Sequence, residues 1–282
     1  MKVDRMLLQT AVRRACELDV KALKPGNVSV DSPGYGMTAA DFFASAHAMA
    51  GPITLPGLSI GERIYRAIEA TRSVVSCNTN LGIVLLFAPL IQAIESIPDD
   101  GSLESKLKIQ LEQLTIVDAE WAYRAIRLAK PGGMGKSAKH DVAETPRVTL
   151  YQAMQDAVNH DQIARLYATG YCSLFERGLP LWRNAMARHG SLEWATTSLF
   201  INLLAAEPDS LITRKFGGVK SEEVSLAAKR FCAALDAARE PRAIRSDLVV
   251  WDAALKARGL NPGTTADMTV ATIFLADLQD MR

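Results

Sequence analysis

With 282 residues, 49% of them hydrophobic, the chain can bury a sizeable core in one large domain or two small ones. Its 32 basic and 31 acidic side chains leave a formal net charge of +1, which excludes a general attraction to nucleic acid or an anionic membrane. The longest apolar run, Ile83 to Ile91, is too short to span a bilayer, the opening residues lack a signal-peptide pattern, and Cys16, Cys77, Cys172 and Cys232 form no CxxC pair. These features read as a cytoplasmic protein with reduced thiols.

Apolar residues at helical spacing predict a first helix from about Asp4 to Leu23, with Asp19 at the edge of its buried stripe. Lys24-Pro25-Gly26-Asn27 stops it, as a plain terminator or as a phosphate-binding loop. After an irregular stretch to Met37, Thr38 and Asp41 form a capping box for a second helix, and Ser59 or Gly61 starts a third. Asn78, Thr79 and Asn80 then precede a run that is apolar on every face, so a buried central helix is expected near 80–91, kinked or ended by Pro89 near residue 85. The first amides of a buried helix need a polar partner, either these caps or an anionic ligand.

Leu103 to Leu128 reads as one long helix with Asp118 on its buried stripe, which calls for an internal base such as Arg124, a metal or an active-site role. Pro131 to Ser137 imitates a P-loop but has Lys130 where the pattern needs Gly, and follows a helix rather than a strand. Its glycines, with Lys136 and Lys139, still suit phosphate, and Asp141 and Glu144 suit Mg²⁺ carried on phosphate. Helices resume from Thr149 to about Ala206 with a break near Gly178-Leu179-Pro180 and an i,i+4 pair of Asp161 with Arg165. A short helix carries Thr213-Arg214-Lys215, another runs from Ser221 to Ala238, and two more span about 246–258 and 266–280. No segment alternates with period two, so the chain is expected to be all-α, a single domain over 1–282 of roughly ten helices. Four polar loops, at 24–27, 78–80, 131–144 and 261–267, lie at helix ends. Brought together, they would make one pocket of amides, lysines and carboxylates.

Lys24-Pro25-Gly26-Asn27-Val28, Asn78-Thr79-Asn80-Leu81-Gly82, Pro131-Gly132-Gly133 with Asp141-Val142, and Asn261-Pro262-Gly263-Thr264-Thr265-Ala266-Asp267 occur in this order. In these segments the chain resembles the triphosphoribosyl-dephospho-CoA synthase family over nearly its whole length. The resemblance implies an all-α transferase that takes the triphosphoribosyl group of ATP, releases adenine, and passes the group to a hydroxyl of dephospho-CoA. It also implies His and Lys after Asn78-Thr79, where this chain has Asn80 and Leu81. A His and an Asp expected after the first motif are replaced by Met37-Thr38-Ala39-Ala40-Asp41, and a Gly-Ala-Arg-Gly-Glu segment by the 132–144 loop. The chain thus looks like a divergent branch of tetrahydromethanopterin or methanofuran pathways, with an altered acceptor.

On this reading ATP is the substrate, and Mg²⁺ is held by Asp118 and Asp141. Lys24, Arg214 and Lys215 meet the triphosphate, and Asn27, Asn78 and Asn261 orient ribose and base. Thr79, Asn80, Gly132 and Gly133 complete the nucleotide site, and Glu144 or Asp267 is the base. Two other readings stay open, a non-catalytic nucleotide-binding protein of the same fold and a hydrolase that passes the glycosyl group to water. Homo-oligomerisation is compatible with all three.

Overall fold

A computed structural model describes residues 3–96, 101–132, 139–238 and 240–281. Among them there are fourteen α-helices, one π-helical turn, one 3₁₀ turn and no strand. The all-α expectation holds. The first six helices are α1 (Arg5–Lys21), α2 (Ala39–Ile53), α3 (Ile60–Val74), α4 (Leu81–Glu95), α5 (Leu103–Glu112) and α6 (Ile116–Ala129). Next come α7 (Leu150–Asp156), α8 (Gln162–Ala168), α9 (Leu179–His189) and α10 (Leu192–Ala206). The series closes with α11 (Ser210–Phe216), α12 (Gly218–Ala237), α13 (Arg245–Ala257) and α14 (Gly263–Asp280).

Local chemistry sets many of the starts. Thr38 with Asp41 forms the expected box at α2, and Ser59 accepts from the Glu62 amide at α3. The expected single helix over 103–128 is two helices. Thr115 accepts from the Asp118 amide while the Asp118 carboxylate accepts from Thr115 N, so α6 starts afresh there. There is no break at Gly178-Leu179-Pro180 either: the π turn Leu174–Gly178 runs directly into α9, with Pro180 in its first turn. Gly217 rather than Ser221 precedes α12, and the Ser221 hydroxyl instead donates to the Asp209 carbonyl at 2.7 Å.

The central helix is α4, buried on nearly every face. It packs on α3, α5 and α14, and Phe87 stacks on Phe274 of α14 with ring centroids 4.1 Å apart. Pro89 does not end it. Proline has no N–H for the Leu85 carbonyl, but the buried Tyr167 hydroxyl donates to that oxygen at 2.6 Å, so the helix continues to Glu95. Two hydrophobic clusters result: the larger surrounds α4, and the smaller joins α10 to α13. Helix α10 serves both, Leu199 and Leu203 facing the first and Phe200, Ile201 and Leu204 the second. That double burial explains why it has no polar face.

Candidate active site

The four polar loops meet at the N-terminal ends of α4 and α14, around a cavity of about 610 Å³. Asn27, Asn78, Thr79 and Asn80 stand on one part of its wall, and Gly132 and Asp141 on another. Arg214, Lys215, Asn261 and Asp267 complete the set of expected residues on it. Tertiary contacts tie the loops together. Asn27 Nδ2 donates to Asn261 Oδ1 at 2.8 Å. Gly26, at φ +83°, lies so close to the 260–262 turn that a Cβ would sit 2.7 Å from the Leu260 carbonyl oxygen. Thr79 Oγ1 shares a 2.6 Å hydrogen bond with Ser45 of α2, and Asn78 Oδ1 accepts from the Leu81 amide at 3.2 Å. That second bond is the cap expected for α4. The Asn80 side chain does not cap; its amide donates to Thr71 and to the Met49 sulfur.

At the floor, Asp267 lies against the first turn of α4. A Cβ built on Gly82 would overlap its carboxylate, so only glycine lets acid and helix approach this closely. Burial, and then the charges of Asp19, Asp209 and Asp161, push the Asp267 carboxyl well above the usual range, with Lys24 opposing. Asp19 and Asp161 share the cavity wall. The buried Asp209 stands behind them, its Oδ2 accepting from Thr265 N and Oγ1 at 2.7 and 2.8 Å and its Oδ1 from two α11 amides.

The cationic side is formed where α11 meets the 130–132 turn. Lys215 Nζ approaches Gly132 closely enough that a Cβ there would stand 3.3 Å away. Burial, then the neighbouring Arg214, lowers the Lys215 ammonium below its ordinary value. Arg214 pairs with Asp161 at 3.2 Å, so the expected Asp161–Arg165 pair is absent and Arg165 reaches Glu207 instead. Lys130 and Lys139 also reach the wall.

Three expected residues lie elsewhere. Lys24 is fully buried, its ammonium 3.1 Å from Asp19 and 2.8 Å from Asn27 Oδ1, so it braces the loop from within and does not line the cavity. Asp118 is also off the cavity. Its Oδ1 accepts from Gly61 N at 2.9 Å and its Oδ2 from Thr115, which joins α3 to α6, while Arg124 stacks on Tyr65 and Trp121. Glu144 is exposed and off the wall. Gly133 and Lys136 fall outside the described residues. The pairing of Asp118 with Asp141 for Mg²⁺ is therefore not formed, and no cluster of three metal-ligating side chains occurs among the described residues. Magnesium carried on phosphates asks less, only one or two carboxylates, and Asp141 on the wall fits that demand.

Sequence reasoning passed over other wall residues, notably Tyr35, Phe42, Tyr123 and His140. Tyr123 donates to the His140 carbonyl at 3.1 Å, and His140 Nε2 lies 2.8 Å from Asp156. Only the left-handed turn at Tyr35-Gly36 leaves a trace in sequence, as the Gly-Tyr-Gly triplet at 34–36.

Fold and cavity together define an all-α protein with a cavity at helix ends on which its polar loops converge. The family profile described as CitG, ATP:dephospho-CoA triphosphoribosyl transferase, matches residues 5–282, and the chain belongs to that family of transferases. A crystal structure of a candidate triphosphoribosyl-dephospho-CoA synthase from Archaeoglobus fulgidus has a similar fold, with a TM-score of 0.64 at 24% identity over 86% of this chain and 99% of that one. No curated protein matches the chain. No helix among the described residues is long and apolar enough to cross a membrane.

Proposed function

We propose that the cavity binds ATP and that the protein transfers its triphosphoribosyl group, with loss of adenine, to a hydroxyl acceptor other than dephospho-CoA. The convergence of cations and carboxylates on one cavity carries the nucleotide part. Arg214 and Lys215 would meet the triphosphate, with Lys139 and Lys130 near them, and Asn27, Asn78 and Asn261 would orient ribose and base. Magnesium, entering on the phosphates beside Asp141, would neutralise part of their charge.

Asp267 is the proposed base. Its carboxyl, held above the ordinary range by burial and neighbouring carboxylates, is a stronger base than an ordinary carboxylate and so better suited to take a hydroxyl proton. The acceptor oxygen then bonds the ribose anomeric carbon, the glycosidic electron pair leaves with adenine N9, and adenine takes a proton from solvent. Transfer of this kind passes through an oxocarbenium-like state that nearby carboxylates stabilise. The acceptor part rests on Asn80 and Leu81, both buried, which replace the His and Lys that the resemblance implies. Leucine neither donates to phosphate nor carries a proton. A pterin- or furan-type molecule of one-carbon metabolism is the alternative acceptor.

Purified protein with Mg²⁺, ATP and dephospho-CoA tests both parts. Calorimetry should show ATP binding, and adenine release with dephospho-CoA should fall below about 1 s⁻¹, the lower edge of ordinary turnover. Turnover within the ordinary range would restore dephospho-CoA as the acceptor. Loss of all ATP binding would overturn the nucleotide part. ATP binding without adenine release under any acceptor would instead favour a non-catalytic nucleotide-binding protein, for which the replacement of His and Lys also speaks.

A further inference from the structure

Between α1 and α2 the chain makes a small loop. Two isolated bridges shape it, Ser29 with Ser32 and Gly34 with Met37. At its tip Tyr35 takes φ +58°, a conformation that a bulky residue adopts only when its surroundings impose it. The imposition is visible. The Tyr35 hydroxyl donates to the Gly26 carbonyl at 2.8 Å. Gly26 N donates to Oδ1 of the buried Asp252 at 2.8 Å, and Asp252 Oδ2 receives Ser32 and Lys256. A buried carboxylate on α13 thus fixes the stretch leading to Tyr35 at two points, Gly26 and Ser32.

What this network holds in place is an open aromatic ring. Tyr35 is 39% exposed although its hydroxyl is already engaged, and it lines the cavity with Met37 and Phe42. These three side chains carry no charge. The lysines and arginine on the wall are Arg214 and Lys215 of α11, with Lys130 and Lys139. A half-exposed ring with a fixed hydroxyl, lining one cavity with a thioether and a second ring, suits a flat, neutral heterocycle. It has nothing to offer a phosphate.

We propose that Tyr35, with Met37 and Phe42, forms the subsite that stacks the purine of the nucleotide. The assignment rests on the ATP reading above and adds to it the end of the cavity at which the base lies. Stacking of a base on an aromatic side chain changes affinity by roughly 5- to 150-fold on alanine substitution.

The test compares ATP with tripolyphosphate, which has the phosphates and no base, by calorimetry at one salt concentration. Wild-type protein should bind ATP the more tightly, and Tyr35→Ala should lose at least about fivefold in ATP affinity with tripolyphosphate affinity unchanged. Tyr35→Phe keeps the ring and removes the hydroxyl, and should stay closer to wild type than Tyr35→Ala does. Equal losses for both ligands in Tyr35→Ala would assign Tyr35 to the fold and overturn the proposal. Equal wild-type affinity for ATP and tripolyphosphate would overturn it too, while leaving the cationic wall intact. Wild-type binding of neither ligand would remove the nucleotide reading and this subsite with it.

Discussion

The Tyr167 hydroxyl and the Leu85 carbonyl oxygen, 82 residues apart in sequence, meet at 2.6 Å inside the core. The contact supplies the hydrogen bond that Pro89 cannot give, and at the next carbonyl, Leu86, Tyr171 donates at 3.3 Å. Tyr167→Phe should keep the fold and the cavity, because the ring stays packed. It should lower stability by about 1–3 kcal/mol, the usual penalty for a buried carbonyl left unsatisfied. Urea unfolding checks this, and an unchanged midpoint would show that the Leu85 oxygen finds another partner.

Gly82→Ala should be far more damaging to the site than a helix-favouring substitution ordinarily is. Alanine would gain up to about 1 kcal/mol of helix propensity. Its methyl group would occupy the place of the Asp267 carboxylate, however, and displace it from the α4 terminus. We expect adenine release to fall at least about tenfold while the helix content by circular dichroism stays the same.

Asp267→Asn separates stability from function. The folded carboxyl is raised, so the folded state binds a proton more tightly than the unfolded chain does. Wild type therefore loses stability as pH rises from the ordinary carboxyl value of 3.8 towards the raised one, and regains it on acidification. The asparagine variant lacks this term. Its melting temperature should exceed that of wild type at pH 7.5, with the gap closing towards pH ~4, while transfer activity drops about 10²–10⁴-fold as for a lost general base. Thermal scans across this range decide it, and a variant less stable than wild type at neutral pH would refute the sign.

Asp118→Asn should do the reverse. Burial opposes ionisation of Asp118, but hydrogen bonds from Gly61 and Thr115 outweigh it and hold the carboxyl below its ordinary value of 3.8. Its contribution is present above that value and is lost as pH falls through the depressed one. The variant should be destabilised by about 0.5–2 kcal/mol at neutral pH, the range for a lost cap. ATP affinity should not change, and a selective loss of nucleotide binding in a stable variant would return Asp118 to the site.

These residues show what the sequence could and could not disclose. The burial of α4 follows from an apolar run without a polar face, and the grouping of the polar loops from their shared place at helix ends. Asp118 was legible as buried, but the apolar spacing that carries through Leu111, Leu114 and Trp121 masked the helix start at Thr115. Its partner, Gly61 N, lies 57 residues away and leaves no local pattern. Lys24 looked like a phosphate contact because a loop lysine is ordinarily exposed. Only the fold, in which Lys24 is fully buried beside Asp19, shows that Asp19 claims it. Asp161 and Arg165 have the spacing of a helical pair, yet Asp161 precedes α8 and caps it, which frees its second oxygen for Arg214. Phe42 went unassigned to the site because an aromatic side chain on a cavity wall and one in a core have the same helical periodicity, and Tyr35 because an irregular loop gives no periodicity to read.

The Asn27–Asn261 bridge spans 234 residues, and with it the first polar loop closes against the fourth. While the chain is being synthesised, the residues that meet Asn27 and Gly82 do not yet exist. The α4 terminus must wait, open to water, until the segment around Asp267 arrives from the ribosome. Contacts of such long range form slowly, and chaperone dependence should be greatest in that interval.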